Sequence, residues 1–97
     1  MKKYEMLFIL KPNLEEEERN QIIEKFKAIV VDGKGEVENV DEWGNRKLAY
    51  EIQKLNEGYY VLMNFKADID VPQELDRNAR IFDSVMRHLI VCLDEKK

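Results

Sequence analysis

Apolar positions follow two alternating rhythms along the chain, one close to two residues and one close to four. From Tyr4 to Leu10 the run is short and apolar, which predicts a strand. Lys11-Pro12-Asn13 stops it. Asn13, with Glu16 three residues on, predicts a capped helix start, and Glu15 to Glu18 suit the positive end of the helix dipole. Ile22, Ile23, Phe26, Ile29 and Val30 recur on one helical face, and Gly33 predicts the helix end in the left-handed conformation. Residues 35–52 read as a long polar-rich strand region anchored by Val37, Val40, Leu48, Tyr50 and Ile52, with a bend or bulge at Trp43-Gly44-Asn45. Lys54 to Gly58 predicts a hairpin turn, and Tyr59 to Phe65 a third strand. Asp70-Val71-Pro72 opens a second helix with Val71, Leu75, Ala79 and Phe82 inward, followed by a fourth strand from Val85 to Leu93 and a solvated tail, Asp94 to Lys97.

The order β-α-β-β-α-β predicts an α+β fold, the ferredoxin-like split β-α-β sandwich. Right-handed crossovers place both helices on one face of a four-stranded antiparallel sheet. At 97 residues the expectation is a single domain over 1–97.

Two helices cover only one sheet face, so the other should alternate to polar. Tyr4, Met6, Phe8 and Leu10 match Tyr59, Val61, Met63 and Phe65 as the helix-side set. The opposite set nonetheless holds Leu7, Ile9, Tyr60 and Leu62, and if Arg87 points outward, Leu89 and Val91 join them. Each side chain would contribute roughly 1.5–3 kcal/mol if buried, on the order of 10 kcal/mol together. A patch of that size marks a partner surface, with self-association or merely tolerated aliphatics as the alternatives.

Composition removes most enzyme chemistry. The chain has no threonine and one residue each of serine, histidine and cysteine: Ser84, His88 and Cys92. No nucleophile-elbow glycines surround Ser84, so nucleophilic catalysis has no frame. His88 and Cys92 sit four apart on a predicted strand, about 13 Å, too far to share a metal ion. Asp32-Gly33-Lys34-Gly35 lacks the spacing and hydroxyl of a phosphate-binding loop, and no cofactor is expected. A lone cysteine and the absence of a secretory pattern lead us to expect a reducing cytoplasm.

The net charge of −4 argues against a polyanionic partner only in total. Residues 15–42 carry ten acidic against four basic groups, and over a Debye length local sign decides. Lys2 and Lys3 at the start of the first strand, Arg46 and Lys47 after the bend, Arg80 at the end of the second helix, and Arg87 and His88 in the last strand are the candidate cations. Several of them can gather along one edge of the sheet and contact phosphates. An RNA-recognition motif on the same topology is a rival, but Glu57 and Tyr60 stand where its third-strand signature needs a basic and a small residue. An acylphosphatase-like enzyme would need an arginine in the first loop, and Lys11-Pro12-Asn13 has none. A regulatory domain that binds a small ligand is the remaining alternative.

Gly44, Arg46, Leu48, Ala49, Tyr50 and Ile52 follow a glycine, basic, Leu-Ala-Tyr, aliphatic pattern. In this they resemble the bacterial small-subunit (30S) ribosomal protein six family. Lys3-Tyr4-Glu5, Lys11-Pro12, Gly58 to Met63 and Phe82 to Arg87 resemble it in the same order and spacing. The resemblance implies a structural ribosomal protein without catalysis. It implies binding to the central domain of 16S ribosomal RNA as a heterodimer with the small basic ribosomal protein numbered eighteen, which would cap the open face. By position it implies that Lys2, Lys3, Tyr4, Arg46, Lys47 and Arg87 lie toward the RNA.

Overall fold

In a computed structural model, which describes residues 1–52 and 55–93 and, of residues 49–52, the backbone only, the element order is β1 (Lys2–Leu10), α1 (Glu16–Asp32), β2 (Glu36–Ile52), β3 (Leu55–Ala67), α2 (Asp70–Ile81) and β4 (Val85–Cys92). The strands form one antiparallel sheet in the order β2-β3-β1-β4, with both helices on one side, the split β-α-β sandwich expected from the pattern. The tail from Asp94 to Lys97, the start of the expected turn at Lys54, and the anchoring side chains of Tyr50 and Ile52 lie outside the described residues.

The helix side of the sheet holds the core. Met6, Phe8 and Leu10 of β1 and Val61, Met63 and Phe65 of β3 are fully buried against Phe26, Val30 and Leu75. Phe26 meets Phe8 edge-on with ring centroids 4.9 Å apart, and Phe82 at 5.9 Å, so one ring ties α1 to the sheet and to the end of α2.

Three local expectations change. The α1 N-cap is Glu15, not Asn13, with Glu18 accepting a hydrogen bond from the Glu15 backbone N–H at 3.3 Å. Leu14 first turns in to pack on the core, and Arg19 Nη1 donates to its carbonyl at 2.9 Å, which moves the start two residues on. At the other end Gly33 is not left-handed (φ −84); Lys34 is (φ 67). The Gly35 N–H bonds the Val30 carbonyl and the Lys34 N–H that of Val31, a Schellman closure with lysine in the left-handed position. Gly33 is needed for space, since a Cβ there would lie 2.5 Å from Val71 Cγ2 where α1 meets α2. Finally, β3 begins at Leu55, opposite Ile52, and Gly58 lies inside the strand opposite Arg46 rather than in a turn.

Candidate protein and RNA interface

Antiparallel register arranges the open face in transverse rows, read from β4 to β2. One row is Arg87, Ile9, Tyr60 and Gly44; the next is Leu89, Leu7, Leu62 and Asp41; the third is Val91, Glu5, Asn64 and Asn39. A cationic and aromatic end thus passes through an aliphatic middle to a polar end, where Lys66 pairs with Glu38 at 3.5 Å.

β4 shows why Arg87 faces outward. A register shift between Ile9 and Leu10 leaves Met86 as an extra residue, so that Val85 turns into the core while Arg87, Leu89 and Val91 face away from the helices. Leu89 is 59% exposed and Val91 42%. Leu7, Tyr60 and Leu62 are half-buried by their neighbours. Ile9 lies on this face but is only 7% exposed, because it fills the gap left by the missing side chain of Gly58. A Cβ at Gly58 would stand 2.3 Å from Ile9 Cγ2 and 3.5 Å from Leu48 Cδ2. Ile9 is therefore a floor for the patch and offers a partner little surface.

At the cationic end the Trp43 ring stacks on Tyr60, with centroids 6.0 Å apart and planes 9° from parallel. The Arg46 guanidinium carbon stands 5.5 Å from the Trp43 ring centre, and Trp43 Nε1 donates to Asp41 Oδ2 at 3.1 Å. Lys47, the next residue, faces the other side of β2, opposite Glu57.

The expected basic edge does not form as one group. Lys2 pairs with Ala67 and Arg46 with Gly58, nine positions apart on β3, which is roughly 30 Å at the rise of a strand. Lys2 and Lys3 therefore stand at the opposite end of the sheet from Arg46, Lys47 and Arg87. Tyr4 is a core residue, 6% exposed and stacked on Phe65 at 5.5 Å, so no base can stack on its ring. His88 follows Arg87 in a strand and so faces the opposite side, toward α2. Its Nε2 lies 2.5 Å from Asp76 Oδ1, and Arg80 Nε donates to Asp76 Oδ2 at 3.0 Å. Arg80 and His88 thus meet each other across Asp76 on the helix side, away from the open face.

That pairing has a measurable consequence. The hydrogen bond from His88 is the largest influence on the Asp76 carboxyl; burial opposes it, and the bond from Arg80 with the charges of both partners keeps the net result below the ordinary range. A carboxyl depressed on folding stabilises the fold above its unfolded pKa of about 3.9, and that contribution disappears as pH falls through the lower folded value. Asp76→Asn is expected to be less stable than the parent in urea melts at pH 6, with the gap narrowing as pH falls below about 3.9. A gap that is independent of pH would show that the carboxylate charge plays no part.

Across α1, Arg19 lies over the Tyr59 ring at 4.3 Å, and the Tyr59 hydroxyl donates to Glu42 at 2.8 Å. Burial first, and then the bond to Glu42, raise the Tyr59 pKa. The contact fastens α1 to β3 and to its edge neighbour β2 and presents no reactive group. Among the described residues no cluster of histidine, cysteine and carboxylates has the geometry of a metal site.

A family model described as ribosomal protein S6 matches residues 3–92. The chain belongs to the ribosomal protein S6 family. The small ribosomal subunit protein bS6 of Alkaliphilus oremlandii is 60% identical over 95 residues, covering 98% of this chain and 100% of that protein. The bS6 of Alkaliphilus metalliredigens is 62% identical with the same coverage. The crystal structure of 30S ribosomal protein S6 from Thermotoga maritima superposes with a TM-score of 0.88 at 38% identity, covering 94% of this chain and 86% of that one. An Arabidopsis thaliana protein at 16% identity and a TM-score of 0.57 shares the fold alone. Membership of the S6 family makes the chain a structural, non-enzymatic ribosomal protein.

Two features of the interface were missed in the sequence. The bulge expected at Trp43-Gly44-Asn45 is present, but the contact of Trp43 with both Tyr60 and Arg46 was missed, because which side chains the bulge brings to one face follows only from strand pairing. The separation of His88 from Arg87, by contrast, was available from strand alternation.

Proposed function

We infer that the chain is a structural component of the small ribosomal subunit, in the cytoplasm, and binds the central domain of 16S ribosomal RNA together with ribosomal protein eighteen. The observation that carries this reading is the order of rows on the open face. The aliphatic row of Leu89, Leu7 and Leu62 supplies area for a protein partner, and the adjoining end with Arg46, Trp43, Tyr60 and Arg87 supplies cations for RNA. Protein eighteen covers the first, and the RNA backbone runs past the second. The net charge of −4 is no obstacle, because ten of the acidic groups fall within residues 15–42, and the basic partner supplies the remaining positive field.

Neither component alone makes enough phosphate contacts for tight binding, since each neutralised phosphate contributes modestly and in a salt-dependent way. Assembly is therefore coupled: docking of the partner completes the RNA-facing surface. Lys2 and Lys3, at the far end, meet a separate RNA segment, and Arg80 and His88 are held in the helix layer by Asp76.

Arg46→Glu tests this directly. Affinity of the heterodimer for a central-domain RNA fragment is expected to fall about 10-fold or more, with the salt slope reduced by about one. Loss of an exposed cation–π contact contributes only about 0.5–1 kcal/mol to stability, so Tm should fall by no more than a few degrees. Unfolding of the variant, or unchanged RNA affinity, would refute the assignment of Arg46.

A further inference from the structure

We propose that Trp43 is a positioning residue for Arg46, holding its guanidinium on the open face of the sheet where it meets an RNA phosphate. The proposal rests on the RNA reading of that face and adds a residue that acts through another.

Residues three apart in a regular strand point to opposite faces. Trp43 and Arg46 are three apart, yet the guanidinium lies over the indole ring. The cause is a bulge: Glu42 opposes Val61 and Gly44 opposes the preceding residue of β3, Tyr60, so β2 carries one extra residue, Trp43. The extra residue resets the alternation and brings Trp43 and Arg46 to one side. Gly44 makes this possible with φ +88, a conformation costly for any residue with a Cβ. An added Cβ there would find nothing within 4 Å, so glycine serves backbone conformation at this point and not space.

Trp43 is itself held twice, by the stack on Tyr60 and by the bond from Nε1 to Asp41. It is the fixed member and Arg46 the guided one. A long cationic side chain on an exposed edge strand loses rotamer freedom when it binds, and one already resting on an aromatic ring has lost part of it beforehand. The guanidinium carbon, 5.5 Å from the ring centre, is held by attraction to the ring and not by a hydrogen bond to it, so its N–H fork remains available to grip a phosphate with two hydrogen bonds. The contact therefore lowers the ordering cost and keeps the donors on the open face.

The test uses the full chain with protein eighteen and a central-domain RNA fragment. Trp43→Leu is expected to weaken RNA binding three- to tenfold while heterodimer formation stays within twofold, and Trp43→Phe, which keeps a ring face, should restore most of the affinity. In an Arg46→Ala background, Trp43→Leu should have no further effect. In the free protein, the Arg46 Nε–H resonance should lose its ring-current shift in Trp43→Leu and keep it in Trp43→Phe. If Trp43→Leu weakens RNA binding equally with and without Arg46, or acts by breaking the heterodimer, the positioning role is wrong while the RNA reading stands. If Arg46→Ala leaves RNA affinity unchanged, the RNA reading falls and takes the proposal with it.

Discussion

Phe26→Ala is expected to lower the unfolding free energy by about 3–5 kcal/mol, the usual loss when a large buried ring is removed and the cavity only partly collapses. Phe26 has no exposed surface, and its ring contacts Phe8 on the central strand and Phe82 beyond α2. Deleting it removes the apolar area and two edge-on ring contacts, each worth about 0.5–1.5 kcal/mol beyond area. Stabilities of small proteins are typically 5–15 kcal/mol, so the variant should be marginal and its Tm lower by roughly 15–30 °C. Urea melts at low temperature give the number. A loss below about 1 kcal/mol would mean that α1 does not seat on the sheet as described.

Leu89→Asp is expected to act on assembly and not on the fold. Leu89 is 59% exposed, and exposed substitutions of this kind normally stay within about 0.5 kcal/mol. Under a docked partner the same site is dry, and an unpaired carboxylate there is strongly disfavoured. Heterodimer affinity should fall on the order of 100-fold, about 2.7 kcal/mol. Ile81→Asp is the control, because Ile81 is 66% exposed at the end of α2 and lies away from the open face. Sedimentation of each variant with protein eighteen separates the cases. Equal behaviour of Leu89→Asp and Ile81→Asp would mean that the partner does not sit on the aliphatic row.

Particular residues show how far the sequence could be read. Alternation in β1 separates Met6, Phe8 and Leu10 from Leu7 without ambiguity, and the same count in β3 agrees with it, so the two-faced sheet was legible. Placing Arg87 outward was enough to orient β4, because a charge in the core is excluded and its neighbours follow by parity. The same parity implies that His88 faces inward, and the alternation of β1 places Tyr4 in the core, so counting either with the RNA-facing group set a list of basic and aromatic residues above the geometry. The grouping of Lys2 with Arg46 failed for a different reason. Where a strand's end lies relative to a distant hairpin depends on register, and register follows from hydrogen-bond pairing that composition does not encode. Gly33 and Lys34 are a subtler instance: glycine is favoured in the left-handed position, but close packing on Val71 claimed it one residue earlier, and lysine took the strained conformation.

The most direct test asks whether the aliphatic row becomes dry when protein eighteen binds. With a soluble paramagnetic agent, the methyl signals of Leu89 and Val91 should broaden in the free chain, and those of Met6 and Leu10 should not. On addition of protein eighteen, Leu89 and Val91 should become as protected as Leu10, while Ile69 and Ile81 on the helix side stay broadened. If Leu89 remains as accessible as Ile81 in the complex, the bare side of the sheet is not where the two proteins meet.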